Sequence, residues 1–197
     1  MSWATPVGLH RVAVQVGAPP TLLDGRGRAV ATIVDDDDHG KVLGRLTDLN
    51  GSGEEYVVWD VVAGTTTSLA PRGGFTAIDE HAVYGGLFRQ DLTTGVVTSL
   101  PSVGPGSAVV DVDGRGRILV KTREAVCEGC PEISQTFGLI DGATLESVVV
   151  RSTGGYNSAW YGATGGAIGN GGHVALDVPI GGRGDPDVRA EIVLISA

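Results

Sequence analysis

Side chains that could bind a metal ion are concentrated in one acidic part of this sequence. Asp35 to His39 forms an acidic run ending in histidine, and a second polar stretch covers Asp48 to Glu54. In the second stretch, oxygen-bearing side chains alternate before a glycine, which is the spacing of the first half of a Ca²⁺ loop. Calcium as a cofactor bound by four residues, Asp48, Asn50, Ser52 and Glu54, is one interpretation. The favoured interpretation is a solvated acidic loop held by Asx turns.

The only two cysteines form the segment Cys127-Glu128-Gly129-Cys130. A structural zinc site needs a second such pair or histidines at suitable spacing, and a redox motif needs a thioredoxin-like βαβ context. The sequence has neither pattern. Two alternatives remain, a small disulfide ring between Cys127 and Cys130, which would imply an oxidising compartment, or two free thiols.

Three aromatic residues, Tyr156, Trp160 and Tyr161, lie together in a glycine-rich segment. Aromatic rings on an exposed rim can stack on a small ligand or anchor a protein partner. The alternative is that Trp160 packs between sheets. The tripeptide Arg183-Gly184-Asp185 matches an integrin-recognition sequence, but a three-residue match is common by chance.

The composition of the sequence argues against some classes of function. The 197-residue chain has a net charge of −9, whereas nucleic-acid binding needs a basic stripe, so no nucleic-acid partner is expected. No apolar run approaches the roughly 18 residues of a membrane span. The beginning of the chain lacks the basic and apolar segments of a signal peptide, which predicts a cytoplasmic protein unless a leader has been removed.

The sequence also contains a repeat. The segment Asp24-Gly25-Arg26-Gly27-Arg28 returns as Asp113-Gly114-Arg115-Gly116-Arg117, each time before an apolar run, and weaker copies begin at Asp79 and Gly169. Each copy predicts two strands joined by a tight polar turn, and the 32 glycines favour turns. The recurring aspartates are expected to cap these turns, because a catalytic group is normally unique within a repeat array.

A second signature recurs in three predicted hairpins. In each copy an aspartate (Asp60, Asp91 or Asp141) ends the predicted third strand and precedes a short turn. In the first two copies that turn ends in a glycine, Gly64 or Gly95. The aspartate caps the turn and the glycine supplies a positive φ. This pattern resembles the apolar-Asp-x-x-Thr-Gly hairpin of many β-propeller families, and the Gly-x-Gly-apolar segments resemble extracellular propeller repeats.

The acidic stretch carries a further resemblance. Asp48 to Glu54 is similar to the DxNxDG calcium loops of integrin-type propellers. It departs from them at Ser52, where aspartate is preferred, and at Tyr56, where the last carboxylate belongs. These departures weaken the calcium prediction.

The resemblance implies an all-β, four-bladed β-propeller. The expected blades cover about residues 21–73, 74–106, 107–156, and 157–197 together with 1–20. In the first blade, residues 28–34 are predicted to be the second strand and residues 35–55 an acidic insertion. The strand of residues 9–16 is expected to pair with residues 191–195 and complete the last blade, which would remove an open sheet edge.

Propellers usually bind ligands at one mouth of a central channel. The chain is therefore predicted to be a monomeric or homodimeric binding module for a small molecule or a protein. The expected contacts are Tyr156, Trp160 and Tyr161, with Asp35, Asp38 and His39 opposite. The alternative is a lyase, hydrolase or cyclase that uses aspartate or histidine as acid and base in the same mouth. No nucleophile elbow, zinc-protease or phosphate-loop motif assigns catalytic residues.

Overall fold

The structure is a computed structural model. It describes the backbone of residues 2–5, 8–11, 21–24, 30–47, 53–70, 74–125, 132–157, 166–169, 171–180 and 189–196, and side-chain environments for 32–47, 53–70, 74–124, 134–150, 166–169 and 171–176. The elements in these ranges are all β-strands, which confirms the all-β prediction. None of the described residues forms a helix that could span a membrane. The chain divides into two compact units, residues 1–83 with 90–96, and residues 84–89 with 97–197.

The first unit begins with a three-stranded N-terminal sheet of β1 (Ser2–Thr5), β2 (Gly8–Arg11) and β3 (Thr21–Asp24). Strand β2 is antiparallel to β1 on one side and to β3 on the other. The predicted pairing of residues 9–16 with residues 191–195 is therefore wrong for residues 9–11, because both edges of that strand are occupied. Residues 12–16 lie outside the described residues. Neighbouring strands joined by short connections usually pair with each other.

Sheet A follows in the order β4 (Val30–Asp36), β5 (Lys41–Thr47), β6 (Glu54–Asp60) and β7 (Thr65–Ser68). The predicted acidic insertion of residues 35–55 is wrong, because it contains strand β5. That strand buries Val42, Leu43 and Leu46. Burial of these aliphatic side chains drives the segment into the sheet despite its acidic flanks. As a result, β4 is the first strand of its sheet and not the second.

The core of sheet A depends on one close approach. Trp59 in β6 is 2% exposed and packs with Val42, Leu46 and Val57. Gly44 in β5 leaves the space that this ring occupies, because a Cβ there would lie 2.0 Å from Cζ3 of Trp59. Glycine is thus required at this position by packing.

Sheet B has the order β8 (Phe75–Ile78), β9 (Ala82–Gly85), β10 (Phe88–Asp91) and β11 (Val97–Ser99). Within the first unit, Phe75 of β8 packs edge-on against Tyr56 of β6, with 5.3 Å between the ring centres. This aromatic contact joins sheets A and B.

The second unit contains sheet C, in which β12 (Ala108–Val112), β13 (Arg117–Lys121), β15 (Glu132–Asp141) and β16 (Ser147–Asn157) are consecutive neighbours. The short strand β14 (Glu124–Ala125) also pairs with β15. Sheets A, B and C therefore each contain an antiparallel array of four strands in chain order.

Sheet D of the second unit contains β17 (Gly166–Ile168), β18 (His173–Ile180) and β19 (Arg189–Ser196) in that order. A shared core connects sheets C and D and consists of six buried side chains: Leu119, Phe137, Leu139, Ile168, Val174 and Leu176. The closed four-bladed arrangement remains a proposal, since no closed sheet occurs among the described residues.

The Gly44–Trp59 approach predicts the effect of adding one methyl group. Gly44→Ala is expected to lower the free energy of unfolding by about 1–3 kcal/mol, because the buried indole must move. Chemical denaturation monitored by tryptophan fluorescence measures this loss. Gly169→Ala is a suitable control, because its added Cβ would meet only the His173 carbonyl oxygen at 3.9 Å. Equal stability of the Gly44→Ala variant and the parent would contradict the packing argument.

Candidate functional site

A tight turn between the first and second strands recurs in sheets A, B and C, and each copy begins with a buried aspartate. The Oδ1 atom of Asp37 accepts the N–H groups of His39 and Lys41, both at 2.8 Å. Asp79 and Asp113 accept two turn N–H groups in the same way, at 2.7 Å and 2.9 Å respectively. The predicted capping role is thus confirmed for Asp79 and Asp113.

In sheet A the capping position of the first turn is held by Asp37. Asp24 is the last residue of β3, and its side chain lies outside the described residues. The turn from Asp37 to Lys41 closes with the Asp37 N–H donating to the Lys41 carbonyl at 3.1 Å, as the Asp113 N–H donates to the Arg117 carbonyl at 3.0 Å. The counterpart of Asp113 in sheet A is therefore Asp37, and the predicted capping by Asp24 lies outside the described residues.

The turn between the last two strands of these sheets carries the second signature. The Oδ1 atom of Asp60 accepts the Val62 and Ala63 N–H groups at 3.0 and 2.7 Å, and Asp91 and Asp141 form equivalent pairs. The backbone hydrogen bonds from Thr144 and Ala143 hold the pKa of the Asp141 carboxyl below its ordinary value. The predicted capping by aspartate is therefore confirmed in all three hairpins.

The two kinds of turn are joined to each other. The residue after the hairpin aspartate donates its N–H to a carbonyl of the first turn: Val61 to Gly40 at 2.8 Å, Leu92 to His81 at 2.8 Å, and Gly142 to Gly116 at 3.0 Å. Both turns of a sheet consequently lie at the same end of that sheet. The exposed side chains described below lie at this end of the sheets.

In the first unit, the turn ends of sheets A and B border a cleft of about 350 Å³, which we term the A–B cleft. Strand register places its first wall on one face of sheet A. Lys41 is opposite Asp60, which is opposite Thr65, and Val58 is opposite Thr67 in the next row of that face. The second wall consists of turn residues of sheet B: Glu80, His81, Leu92 and Thr93.

The lining of the A–B cleft is polar and carries both signs of charge. Lys41 supplies a cation, Asp60 and Glu80 supply carboxylates, and His81 supplies an imidazole. Glu80, His81 and the lining threonines are exposed, whereas Val58 is 3% exposed and forms an apolar part of the lining. The cleft can therefore accept hydrogen-bonding and charged groups of a ligand without a deep pocket.

Asp35, one of the predicted ligand contacts, does not line the A–B cleft. It lies in β4, and its Oδ2 atom accepts the N–H of Ile78 in β8 at 2.9 Å. In the second unit, Oδ2 of Asp111 in β12 accepts the N–H of Ile168 in β17 at 2.8 Å. Each carboxylate thus links the first strand of one sheet to the first strand of the next. These two residues hold neighbouring sheets together within their units.

The other predicted contacts are Asp38 and His39, in the first turn of sheet A, and three aromatic residues whose side chains lie outside the described set. Asp38 and His39 are exposed in the first turn of sheet A, and Asp38 adopts a left-handed φ of 60°. Tyr156 is part of β16, where its backbone pairs with Ile133, but its side chain is outside the described set. Trp160 and Tyr161 are also outside it. The structure therefore brings Asp35, Asp38 and His39 to one corner of sheet A, beside the Asp37 turn.

The predicted calcium and disulfide residues are mostly outside the described part of the chain. This holds for Asp48, Asn50 and Ser52, for Cys127 and Cys130, and for the Arg183-Gly184-Asp185 tripeptide. Glu54 is exposed at the start of β6, and its Oε1 lies 3.4 Å from a guanidinium nitrogen of Arg45. In the residues that the structure describes, no three acidic, histidine or cysteine side chains cluster as metal ligands.

No protein-family model matches this chain, and no curated protein is significantly similar to it. Its own repeats provide an internal comparison. Arg117 follows the first turn of sheet C; its Nε donates to Oδ2 of Asp113 at 2.7 Å, and its guanidinium lies against Gly172 of the sheet D turn. Lys41 holds the same position in sheet A, where the A–B cleft is open. This lysine in place of arginine is a sequence signal for the cleft only once Asp37 is aligned with Asp113.

The turn of sheet D predicts a gain in stability. Gly169 holds the position of the capping aspartates, with the same backbone bond to residue 173 at 2.9 Å, but it has no carboxylate. Gly169→Asp is expected to raise the free energy of unfolding by about 1 kcal/mol by capping the turn N–H groups. Urea denaturation measures the change. Gly169→Ala adds a Cβ alone, and an equal gain in that variant would contradict the capping explanation.

The buried carboxylate of Asp111, which accepts the N–H of Ile168, predicts that the free energy of unfolding depends on pH. Burial raises the pKa of this carboxyl above 3.8 and the nearby Asp113 adds to the rise, against the lowering effect of the hydrogen bonds from Ile168 and Val112. The folded state then binds the Asp111 proton more tightly than the unfolded chain does. The contribution of Asp111 to stability is greatest below the unfolded pKa and declines as pH rises through the folded pKa.

Asp111→Asn cannot ionise, so its unfolding free energy relative to the parent should improve as the pH is raised from about 3 to 7. Urea denaturation across this range gives the difference at each pH. The offset at the acidic end reports the hydrogen bond that the amide cannot replace. A difference that is constant with pH would contradict the burial effect on Asp111.

Proposed function

We propose that this chain is a binding module whose ligand is a small polar molecule held in the A–B cleft. The observation that carries this proposal is the cleft itself, in which polar side chains from two sheets converge at their turn ends. The capped turns position these side chains on backbone that is already hydrogen-bonded. Preorganised groups lose little conformational entropy when a ligand binds.

Binding is favoured over catalysis by the environment of the lining groups. Acid–base catalysis commonly uses buried groups whose pKa values are displaced towards the working pH. Among the described residues, burial raises the pKa of Asp111, and burial with the charge of Arg123 lowers the pKa of Lys121. Neither residue lines the A–B cleft, where Glu80 and His81 are exposed.

The arrangement that we propose for the sheets is that of successive propeller blades. Two features support it: sheets A, B and C are four-stranded antiparallel arrays, and the first strands of neighbouring sheets are linked by Asp35 and Asp111. In this proposal the first strands surround a common axis, without the N-terminal strand as the closing element. A crystal structure in which the first strands lie on no common axis would overturn it.

The binding proposal can be tested by ¹H–¹⁵N NMR of the full chain against a library of small polar compounds. A ligand should shift the amide signals of Lys41, Asp60, Glu80 and His81 more than those of residues outside the cleft. Thr67→Phe places a ring in the cleft from exposed β7 and should weaken binding at least about tenfold, which corresponds to roughly 1.4 kcal/mol.

Thr66→Phe is the matched control, because Thr66 points to the opposite face of the same strand and does not line the cleft. Binding by this variant should equal that of the parent. If no compound perturbs the cleft signals, or if Thr67→Phe binds as well as Thr66→Phe, the A–B cleft is not the binding site.

A further inference from the structure

Lys41 and Arg117 hold the same position in the repeat, but their cationic side chains have different environments. In the second unit, the Arg117 guanidinium is hydrogen-bonded to Asp113 and lies so close to Gly172 that a Cβ there would be 2.5 Å from its Nη1. In the first unit, the Nζ atom of Lys41 is 3.9 Å from Oδ2 of Asp37, and the next turn presents Glu80 and His81. The cation is therefore tightly held in one copy and loosely held in the other.

Among the described residues of the first unit, one buried carboxylate oxygen has no hydrogen bond. The side chain of Asp37 is fully buried, and its Oδ2 has no hydrogen-bond partner there, whereas Oδ2 of Asp113 accepts a hydrogen bond from Nε of Arg117. A buried carboxylate oxygen without a hydrogen bond is costly. Arginine at position 41 would supply that bond, as it does at position 117, and its larger head group would extend into the cleft. Lysine leaves the oxygen unbonded and the cleft open.

From these observations we propose that the A–B cleft binds a small zwitterion, a molecule with one ammonium and one carboxylate group such as a dipeptide. The inference rests on the proposed function and specifies its ligand class. The ligand carboxylate pairs with Lys41 on the wall of sheet A, and the ligand ammonium pairs with Glu80 on the wall of sheet B. Thr65, Thr67 and Thr93 supply hydroxyl groups that can donate or accept hydrogen bonds in between.

The distribution of charge selects this ligand class. Asp60 also lines the cleft, but one of its two carboxylate oxygens, Oδ1, accepts two turn N–H groups, whereas exposed Glu80 caps no turn among the described residues. An anionic ligand would match Lys41 alone, and a cationic ligand would match Glu80 and leave Lys41 with only its 3.9 Å contact to Asp37. The net charge of −9 further disfavours a simple anion.

The size of the cleft agrees with a dipeptide. A volume of about 350 Å³ lies within the roughly 300–1,000 Å³ of sites that hold small molecules. A ligand of a few heavy atoms would fill little of this volume, whereas a dipeptide would fill more of it. Because the pairing groups are partly or fully exposed, the binding should be weak and sensitive to salt.

Three probes test the inference by NMR titration of the full chain: glycylglycine, N-acetylglycine, which lacks the ammonium, and glycinamide, which lacks the carboxymethyl group and with it the carboxylate. Glycylglycine should bind roughly two to five times more tightly than either analogue, as expected for one additional exposed ion pair. Glu80→Gln should remove its advantage over N-acetylglycine, and Lys41→Met should remove its advantage over glycinamide.

Lys41→Arg should have opposite effects on stability and on ligand binding. It should raise the melting temperature by about 2–4 °C by bonding Asp37, and it should weaken glycylglycine binding by filling the cleft. Arg117→Lys is the matched control in the second unit, which should lower the melting temperature and leave glycylglycine binding unchanged.

Equal affinity for the three probes, or absence of glycylglycine binding, would overturn the zwitterion inference. If other compounds from the polar library still shift the cleft signals, and Thr67→Phe weakens their binding, the binding proposal survives that result. Unchanged glycylglycine binding in Lys41→Arg would also overturn the inference, because the larger side chain must then lie outside the site.

Discussion

A buried carboxylate at the start of a tight turn is the constraint on which sheets A, B and C depend. Burying the charge of Asp37, Asp79 or Asp113 is unfavourable unless hydrogen bonds compensate for the lost water. The turn supplies two N–H groups to one oxygen in each case. That requirement fixes the turn, the turn fixes the register of the first two strands, and the register decides which side chains share a face. The row of Lys41, Asp60 and Thr65 is one result.

The second turn of each sheet is joined to the first by a backbone hydrogen bond, and this bond gives the candidate site its walls. In sheet B the Leu92 N–H donates to the His81 carbonyl, so that Glu80, His81 and Thr93 lie at one end of the sheet. The scaffold of the A–B cleft is therefore built from bonds that recur throughout the chain. Its chemistry comes from the few side chains in which one repeat differs from another.

In the function that we propose, such differences exchange stability for an accessible site. At position 117, arginine donates a hydrogen bond to its aspartate and covers a glycine of the next turn. At position 41, lysine leaves an oxygen of Asp37 without a hydrogen bond among the described residues and leaves the cleft open. A residue that fits its repeat less well than its counterpart is a common property of functional positions, because binding groups must remain available to a ligand.

Local features of this protein were predictable from its sequence, and long-range features were not. The all-β class and the capping by Asp79, Asp113 and the hairpin aspartates followed from residue types within five positions of each other, because such turns close by hydrogen bonds between near neighbours. The sequence does not indicate strand β5, because acidic residues flank its aliphatic ones. The sequence places the first turn of sheet A at Asp24, because residues 24–28 match residues 113–117 letter for letter, whereas the structure places that turn at Asp37. Only the tertiary structure decided which strands pair, which is why β2 lies between β1 and β3 and why Lys41 faces Glu80 and His81 across a cleft. Pairing between distant segments depends on burial and packing summed over a whole sheet, and no short stretch of sequence contains that sum.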